Sequence, residues 1–501
     1  MNTARRLLSY GFYAAACFYF LLPFRTPVPG LSTVTVLKGT GLLLALSALA
    51  GMGDAQYRRM FLQLAARFWP APVLAAWILA AGFLRTGTAF LEVKMLAGFA
   101  VGVVVMFALA LELSEPAVRR RAAALVLAVG FVSAVAGLIE PGLTPHADGF
   151  WRLFRPNVEI FDPVQGKAAG LAALHWQGYD SMRVSGLFSD PNHLANFLGA
   201  WFPLLAFVFL SARRVSAWGW VGAFAGSLVA AMALSATMTR SAIVGCGGGA
   251  VVVAGFLTLK AIVARNLSRR SWIPIAAGAV LGAAVIALAG GGASRVAYGG
   301  AVFLVAVAAA WLFGRPRDRQ VRRAVLIVVG LGLLILVAMP VTARLQAVSG
   351  SYRLAGQPVA EMVSWRGDLW RCAGRAIRAN PIAGRGYVAF YGDIIREFKG
   401  FYSGVSNPHN LYLTAWVTGG AVALGLLLHF LAMVIARAWY LLHRARKDGG
   451  KWGLGAAMLW YWCSYLLLGL VGQDPFPVDE ALIFGAWGAL AIAPLGARRK
   501  P

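Results

Sequence analysis

The chain has 501 residues, of which 59% are hydrophobic and only 13% are charged, and its mean hydropathy is +0.70. Soluble globular chains average about 45–50% apolar and about 25% charged residues, so this composition excludes a soluble cytosolic enzyme and predicts a polytopic membrane protein. The charge is one-sided, with 46 Lys and Arg against 19 Asp and Glu and a net charge of +27.

Apolar runs between charged clusters predict an all-α fold, a polytopic transmembrane helix bundle of about 14 spans with a large, partly helical outer loop, since a helix needs about 20 apolar residues to cross a bilayer. The first run follows Arg5 and Arg6 and is interpreted as an uncleaved anchor. In chain order the runs lie near 7–24, 34–52, 69–89, 93–112, 121–140, 193–211, 216–235, 241–262, 272–290, 296–313, 323–342, 409–436, 452–472 and 479–496.

The basic residues favour one orientation, because Lys and Arg collect in cytoplasmic loops. Seven clusters fall on the same side as the N-terminus: Arg58–Arg59, Arg119–Arg121, Arg213–Arg214, Arg265–Arg270, Arg315–Arg323, Arg437–Lys451 and Arg498–Lys500. Both termini are therefore predicted to be cytoplasmic, and two long loops to face outward. The predicted segments are N-terminal transmembrane helices (1–140), central helices with the first outer loop (141–342), a second outer loop with catalytic elements (343–408) and C-terminal helices (409–501).

The second outer loop departs from the positive-inside pattern, since it carries nine basic and four acidic residues. Such a loop indicates an anionic partner, either the phosphates of membrane lipids or a bound substrate with phosphate groups, which Arg recognises well. Within the loop, the stretch from Pro358 to Ala379 predicts an amphipathic surface helix that ends at Asn380-Pro381. Gly384 and Gly386 then predict a flexible turn.

Three outward-facing helix starts carry polar residues. In "RVSGLFSDPNHLANFL" (183–198), Asp190 is the predicted N-cap and Pro191 the first helical residue. Asn192 and His193 then lie in the first turn, and Arg183 lies on the loop that leads in.

The second start is "SATMTRSAIVG" (235–245), where Arg240 begins a span; an Arg at the edge of the hydrocarbon is costly and indicates either a function or snorkelling to the interface. The third is "SNPHNLYLTAWVTGG" (406–420), where Ser406 or Asn407 is the predicted cap. His409 and Asn410 then fall in the first turn, where the helix dipole favours a neutral imidazole that can accept a proton. A structural role for His409 is the alternative.

Several motifs of soluble transferases and hydrolases do not occur in the sequence: an Asp-x-Asp pair, a P-loop, an HExxH helix and a dinucleotide fingerprint. No metal and no cofactor are therefore predicted. An outward-facing enzyme without a nucleotide supply needs a donor that is already activated and lipid-linked.

Four segments between about 180 and 430 together resemble the bacterial O-antigen ligase and O-antigen polymerase superfamily of integral membrane C-type glycosyltransferases. They are "RVSGLFSDPNHLANFL", "MTRSAIVG", "SWRGDLW…NPIAGRGYVAF" and "NPHNLYLTAWVTGG". The resemblance implies a metal-independent, inverting enzyme in the bacterial inner membrane. Its donor is a glycan on undecaprenyl diphosphate, its acceptor is a glycolipid (lipid A core) or a growing polysaccharide, and its active site is periplasmic, among membrane lipids and without a nucleic acid partner.

The resemblance also implies roles for residues of this chain. His409 is the catalytic base that takes the proton of the acceptor hydroxyl. The diphosphate is held by arginines, namely Arg183, Arg240 and Arg366, and possible supporting residues are Asn410, Asn192, His193 and Asp190.

The acceptor stays open at this stage. O-antigen ligase is favoured, with an O-antigen or exopolysaccharide polymerase and a protein O-oligosaccharyltransferase as alternatives. A lipid-linked glycan flippase or an anion transporter belongs to a different class and would place ionisable residues at mid-membrane.

Overall fold

The computed structural model describes residues 2–18, 33–84, 89–143, 160–162, 167–169, 191–211, 217–237, 240–263, 272–288, 293–313, 319–348, 359–397, 408–444, 449–470 and 478–493. Helices make up nearly all of this described chain, as the apolar runs predict. In addition, β1 (Ile160–Asp162) and β2 (Lys167–Ala169) pair antiparallel within the segment predicted to be the first outer loop, with Phe161 opposite Ala168. That short pair was not expected from the sequence.

The N-terminal half contains nine of the helices in the described chain: α1 (Asn2–Phe18), α2 (Thr33–Gly51), α3 (Ala55–Arg67), α4 (Pro70–Phe83), α5 (Ala89–Glu112), α6 (Pro116–Leu143), α7 (Pro191–Ser211), α8 (Ala217–Ala236) and α9 (Arg240–Val263). The following helices are α10 (Trp272–Leu288), α11 (Ala293–Phe313), α12 (Arg319–Val348), α13 (Val359–Ala379), α14 (Tyr387–Glu397), α15 (Leu411–Arg444), α16 (Gly449–Leu468) and α17 (Val478–Ile492).

Each of the fourteen predicted apolar runs coincides with one helix. The remaining three are α13, which the amphipathic pattern predicts, and α3 and α14, which it does not. The loop expected around Arg58–Arg59 is the helix α3, because the Asp54 side chain caps its first turn by accepting a hydrogen bond from the Tyr57 amide at 2.9 Å. α12 also continues to Val348, beyond the predicted end of its run at 342.

Three described stretches are both long and apolar enough to cross a membrane: Pro116–Ile139, Gly245–Val263 and Leu411–Leu442. α2 and α3 qualify only as a pair that is bent by 116°. Nine further apolar helices are shorter within their described parts. The count of 14 spans therefore stays a prediction, although all fourteen helices that it requires are present.

α15 is not one continuous rod. It has 34 residues, but Gly419 (φ −135°, ψ 17°) and Gly420 (φ 72°, ψ −168°) are not helical and divide it. The stretch Leu411–Leu442 would be about 48 Å long as a straight helix, well above the roughly 30 Å of a bilayer core. Residues 421–442 alone span about 33 Å, so the part of α15 after the break is already long enough to cross a bilayer core.

The main hydrophobic core lies where α5, α15, α16 and α17 meet. Phe430 of α15 and Phe484 of α17 have ring centroids 5.7 Å apart, and Phe430 also meets Trp462 of α16 at 6.2 Å. α5 and α17 approach closely at Gly102, where a Cβ atom would lie 2.6 Å from the Ala481 carbonyl oxygen. Small residues at such crossings let helix backbones pack closely in membranes.

Candidate active site

A second, smaller hydrophobic cluster holds together a compact unit at one end of the bundle. It combines α13, the turn 380–386, α14 and residues 408–418, which we call the platform. The buried side chains of the cluster come from all three helices: Leu369, Cys372, Ala373, Ala376, Ile377, Phe390, Ile394 and Val417. The first two turns of α15 thus belong to the platform rather than to the span below the break.

The amphipathic prediction for α13 is confirmed where the side chains are described. Leu369, Ala373 and Ile377 are buried on one face, while Arg371, Arg375 and Arg378 are exposed on another. Arg371 pairs with Asp368 one turn earlier, and Arg375 pairs with Glu397 of α14. The polar face therefore carries ion pairs as well as positive charge.

The turn 380–386 is seated in the break of α15. The amides of Arg385 and Gly386 donate to the Val417 carbonyl at 2.8 and 3.0 Å, and the Ala421 amide donates to the Pro381 carbonyl at 2.8 Å. These bonds satisfy backbone groups that the break leaves without helical partners. The turn predicted to be flexible is therefore fixed by hydrogen bonds on both sides of the break.

Two glycines make this close approach possible. Gly384 has φ 76° and Gly420 has φ 72°, both in the left-handed region. A Cβ atom on Gly420 would overlap the Ile382 carbonyl, and one on Gly384 would lie 2.5 Å from the Gly420 nitrogen. Each position therefore requires glycine for its backbone conformation and for space.

His409 lies on the platform immediately before α15. Its φ of 48° is positive, which no other described residue except glycine shows. Such a conformation costs a non-glycine residue about 1–3 kcal/mol and clusters at functional sites. The side chain is half-buried.

The expected position of His409 within the first helical turn is wrong. α15 begins at Leu411, and Asn410 is its cap: the Asn410 Oδ1 accepts hydrogen bonds from the amides of Tyr412 and Leu413, both at 3.0 Å. An Asn side chain that reaches the second and third helical amides makes a good N-cap, which displaces the cap from Ser406 or Asn407. Pro408 is consequently not the first helical residue.

Contacts on both sides fix the backbone around His409. The Trp370 indole of α13 donates to the Pro408 carbonyl at 2.9 Å. On the other side, the buried Asn410 side chain donates from Nδ2 to the Leu470 carbonyl at 3.0 Å, and the Leu411 amide donates to the Gly469 carbonyl at 2.7 Å. His409 is thus held between the platform and the end of α16.

Arg366 is brought towards this position by helix geometry. It precedes Trp370 by four residues in α13, so the two share a helix face. Since the Trp370 indole bonds the Pro408 carbonyl, the backbone of Arg366 lies one helical turn from the contact between α13 and the His409 segment.

Other predicted residues lie at the same end of the bundle. Gly245 of α9 packs against Leu468 of α16, just before the Gly469 and Leu470 carbonyls that hold residues 410–411. α9 begins at Arg240, so Arg240 enters at that end. The Cys246 thiol in turn donates to the Gly199 carbonyl of α7 at 3.2 Å. Near its other end α7 bonds the start of α12, which packs antiparallel to α9, so α7 and α9 run parallel.

α7 begins at Pro191 as predicted, and its first turn carries Asn192 and His193 at the same end. Arg183 and Asp190 lie outside the described residues. Among the predicted site residues, the structure describes the backbones of Arg366, Arg240, Asn192 and His193, and it describes the side chains of His409 and Asn410 as well.

The electrostatics of α14 centre on Asp393. Arg385 donates to it twice, from Nε at 2.8 Å and from Nη2 at 3.2 Å, and Arg396 pairs with the same carboxylate. Burial alone would raise the pKa of Asp393, but the two arginines outweigh burial and lower it. The hydrogen bond with Asp393 raises the pKa of Arg385, with further contributions from Coulomb attraction to Asp393 and Glu92. Arg385 therefore keeps its charge and a fixed direction.

Cys372 is not a reactive thiol. Burial and then its hydrogen bond with Glu397 raise the pKa of the Cys372 thiol to about 12, so the thiolate is scarce at neutral pH. Within the described residues no group of three or more His, Cys, Asp or Glu side chains could hold a metal ion.

The sequence did not single out Glu92, Trp370 or Arg385. Glu92 is fully buried in the first turn of α5, and its carboxylate accepts hydrogen bonds from the amides of α14. A signal was available, since Glu92 is an acid placed directly before the apolar run 93–112. Its partner 295 residues away was not predictable from that signal.

Residues 291–428 match the family model described as O-antigen ligase. This segment, somewhat over a quarter of the chain, includes the whole platform up to residue 418 and the two motifs "SWRGDLW…NPIAGRGYVAF" and "NPHNLYLTAWVTGG". The resemblance inferred from the motifs is confirmed there, while "RVSGLFSDPNHLANFL" and "MTRSAIVG" lie outside the match. No curated protein matches the chain. The apolar helices and the family match together identify a membrane protein.

Proposed function

Because residues 291–428 carry an O-antigen ligase domain of the O-antigen ligase/polymerase type of glycosyltransferase, we propose that this protein moves a glycan from undecaprenyl diphosphate to an acceptor hydroxyl at the periplasmic face of the bacterial inner membrane. One observation carries the proposal. His409, within the matched segment, is held in a strained backbone conformation on the platform, which carries several arginines.

The chemistry requires little from the protein. The diphosphate is a good leaving group, and negative charge develops on it as the bond to the sugar C1 breaks. Arg183, Arg240 and Arg366 hold the diphosphate and stabilise this charge. Arginine suits the task because its planar fork bonds two phosphate oxygens at once.

His409 takes the proton from the acceptor hydroxyl as that oxygen attacks C1. General-base catalysis of this kind contributes about 10²–10⁴-fold in rate. Attack opposite the leaving diphosphate inverts the configuration at C1. Asn410 contributes by fixing the peptide that follows His409 rather than by touching the substrate, since its amide oxygen and nitrogen both bond the protein backbone. Asn192, His193 and Asp190 line the approach as supporting residues.

The orientation follows from the basic clusters on alternate loops. Both termini lie in the cytoplasm, fourteen helices cross the membrane, and the platform faces the periplasm. The break at Gly419–Gly420 supports this arrangement, because it separates a span of bilayer length from the two turns that pack on the platform.

Among acceptors we favour the lipid A core, which makes the protein an O-antigen ligase. The family match supports a transferase of the ligase/polymerase type in general, and the preference for the lipid A core is part of the proposal. A polymerase would use a second lipid-linked repeat unit, and a protein oligosaccharyltransferase would use a Ser or Thr hydroxyl.

The test incubates purified protein with an undecaprenyl-diphosphate glycan and, separately, lipid A core, a second lipid-linked glycan and a Ser-containing peptide. We expect transfer to the lipid A core without added metal. Transfer to one of the other acceptors instead would replace the ligase assignment. Absence of transfer to all three, with movement of the lipid-linked glycan across a liposome membrane, would support a transporter.

The arginine roles are tested in the same assay. Arg240→Ala should raise the donor concentration needed for half-maximal rate, and Arg240→Lys should restore only part of the loss because the bidentate fork is gone. Unchanged donor dependence in Arg240→Ala would remove Arg240 from the donor site.

A further inference from the structure

Glu92 lies far from the matched segment in sequence but contacts its helix α14. It belongs to the first turn of α5, and its side chain has no exposure to solvent. Its Oε2 accepts a hydrogen bond from the Tyr387 amide at 3.1 Å, and its Oε1 accepts from the amides of Val388 and Ala389 at 2.9 and 3.1 Å.

These three amides form the first turn of α14 and have no partners within their own helix. A carboxylate at this position satisfies them and interacts favourably with the positive end of the helix dipole. Charge-assisted hydrogen bonds are roughly twice as strong as neutral ones. Breaking the contact would remove three charge-assisted hydrogen bonds from a buried carboxylate, which is unfavourable.

The contact continues towards His409 through backbone hydrogen bonds. Directly before Tyr387, the amides of Arg385 and Gly386 donate to the Val417 carbonyl. Val417 belongs to the two turns of α15 that begin next to His409. A second contact comes from the neighbouring helix α4, where the Trp77 indole donates to the Gly419 carbonyl at 2.7 Å.

We propose that Glu92 is a positioning residue that fixes α14, and through it Arg385 and the His409 segment, to the N-terminal helices. The helix hairpin α4–α5 would then hold the platform in place. This hairpin lies outside the matched residues 291–428. The kinetic part of this role rests on the proposed glycosyl transfer, and the structural part does not.

Hydrogen–deuterium exchange of the wild-type protein in lipid nanodiscs tests the structural part directly. The amides of residues 387–389 should exchange slowly, unlike first-turn amides that bond only water. The amide of Tyr57 is the internal comparison, because it is also capped by a carboxylate, that of Asp54, but at an exposed helix start. If residues 387–389 exchange as fast as Tyr57, the proposal is wrong.

The variant Glu92→Gln removes the charge and places an NH₂ group among three N–H donors. We expect exchange at residues 387–389 to accelerate about 10- to 100-fold, while the thermal midpoint of the bundle stays close to that of wild type. Glu92→Asp keeps the charge but shortens the side chain and should fall between the two. Glu112→Gln is the matched control: it changes a buried carboxylate at the other end of the same helix.

The transfer assay then separates positioning from simple packing. Glu92→Gln should lower kcat for transfer with little change in the KM for donor, and Glu92→Asp should recover part of kcat. Faster exchange with unchanged kcat would show that the contact is structural only. If wild type transfers no glycan at all, the proposed function fails, while the exchange result still decides the role of Glu92. If Glu92→Gln does not fold, the wild-type exchange and Glu92→Asp carry the decision.

Discussion

The fit between the turn 380–386 and the break of α15 leads to a sharp prediction for Gly420→Ala. Gly420 has φ 72° and ψ −168°, a combination that is essentially confined to glycine. An added methyl group would also overlap the carbonyl of Ile382. That obstacle is backbone, so no side-chain rotation can relieve it. Either Gly420 leaves its conformation or the turn moves away from the break.

The backbone cost alone is about 1–3 kcal/mol, which corresponds to about 5- to 150-fold in the equilibrium between the seated and the displaced turn. The amides that report this equilibrium are Arg385 and Gly386, bonded to Val417, and Ala421, bonded to Pro381. We expect their exchange to accelerate by that factor and glycan transfer to fall at least in proportion.

Gly425→Ala is the control for this variant. Gly425 lies in the regular part of the same helix with open space where its Cβ would be, and alanine is favoured over glycine there by about 0.5–1 kcal/mol. In Gly425→Ala the amides should therefore be protected from exchange at least as well as in wild type. The rate of glycan transfer should be at least that of wild type. If Gly420→Ala behaves like Gly425→Ala in both assays, the seated turn is not required and the geometric reasoning is refuted.

Two further predictions concern the side chains that hold the platform. Asn410→Ala removes the cap of α15, which is worth about 0.5–2 kcal/mol, and should lower kcat. Asn410→Asp keeps a capping oxygen and should retain more of the wild-type kcat. Equal losses of kcat in the two variants would contradict the capping role. The pKa of Asp393 is lower in the folded protein than the ordinary Asp pKa of about 3.9. Ionised Asp393 therefore stabilises the fold fully above about pH 3.9, and this stabilisation is lost as the pH falls through the pKa of Asp393 in the folded protein. The contact with Arg385 should thus persist from pH 5 to 9, and Asp393→Asn should lower kcat for transfer equally across that range. A loss confined to one end of the range would show that another group titrates.

The sequence predicts the helices far better than it predicts their breaks. Apolar runs between charged clusters locate fourteen helices, because a long uninterrupted apolar stretch leaves few alternatives to a helix in a membrane. The break in α15 was missed although the pair Gly419–Gly420 is visible in the sequence. A glycine pair is tolerated inside a helix, and only the docking of the turn 380–386 explains why the backbone leaves the helix there.

The same division applies to the site. Local spacing predicted the amphipathic α13 correctly, since its pattern depends on residues within a few turns, and it also led to the hypothesis for His409. The helix start was misplaced by three residues because Pro408, His409 and Asn410 are all acceptable near a cap, and the choice depends on the Asn410 contact with Leu470. Glu92 and Trp77 could not be found locally, because their partners come from distant parts of the chain.

The role of His409 is tested most directly by single-turnover transfer from an undecaprenyl-diphosphate glycan to the lipid A core. His409→Ala should bind donor as wild type does but transfer the glycan about 10²–10⁴-fold more slowly. His429→Ala provides the matched control, since His429 lies in the same helix, packs edge-on against Trp69 at 5.2 Å and takes no part in the platform. Transfer by His409→Ala at the wild-type rate would contradict the account.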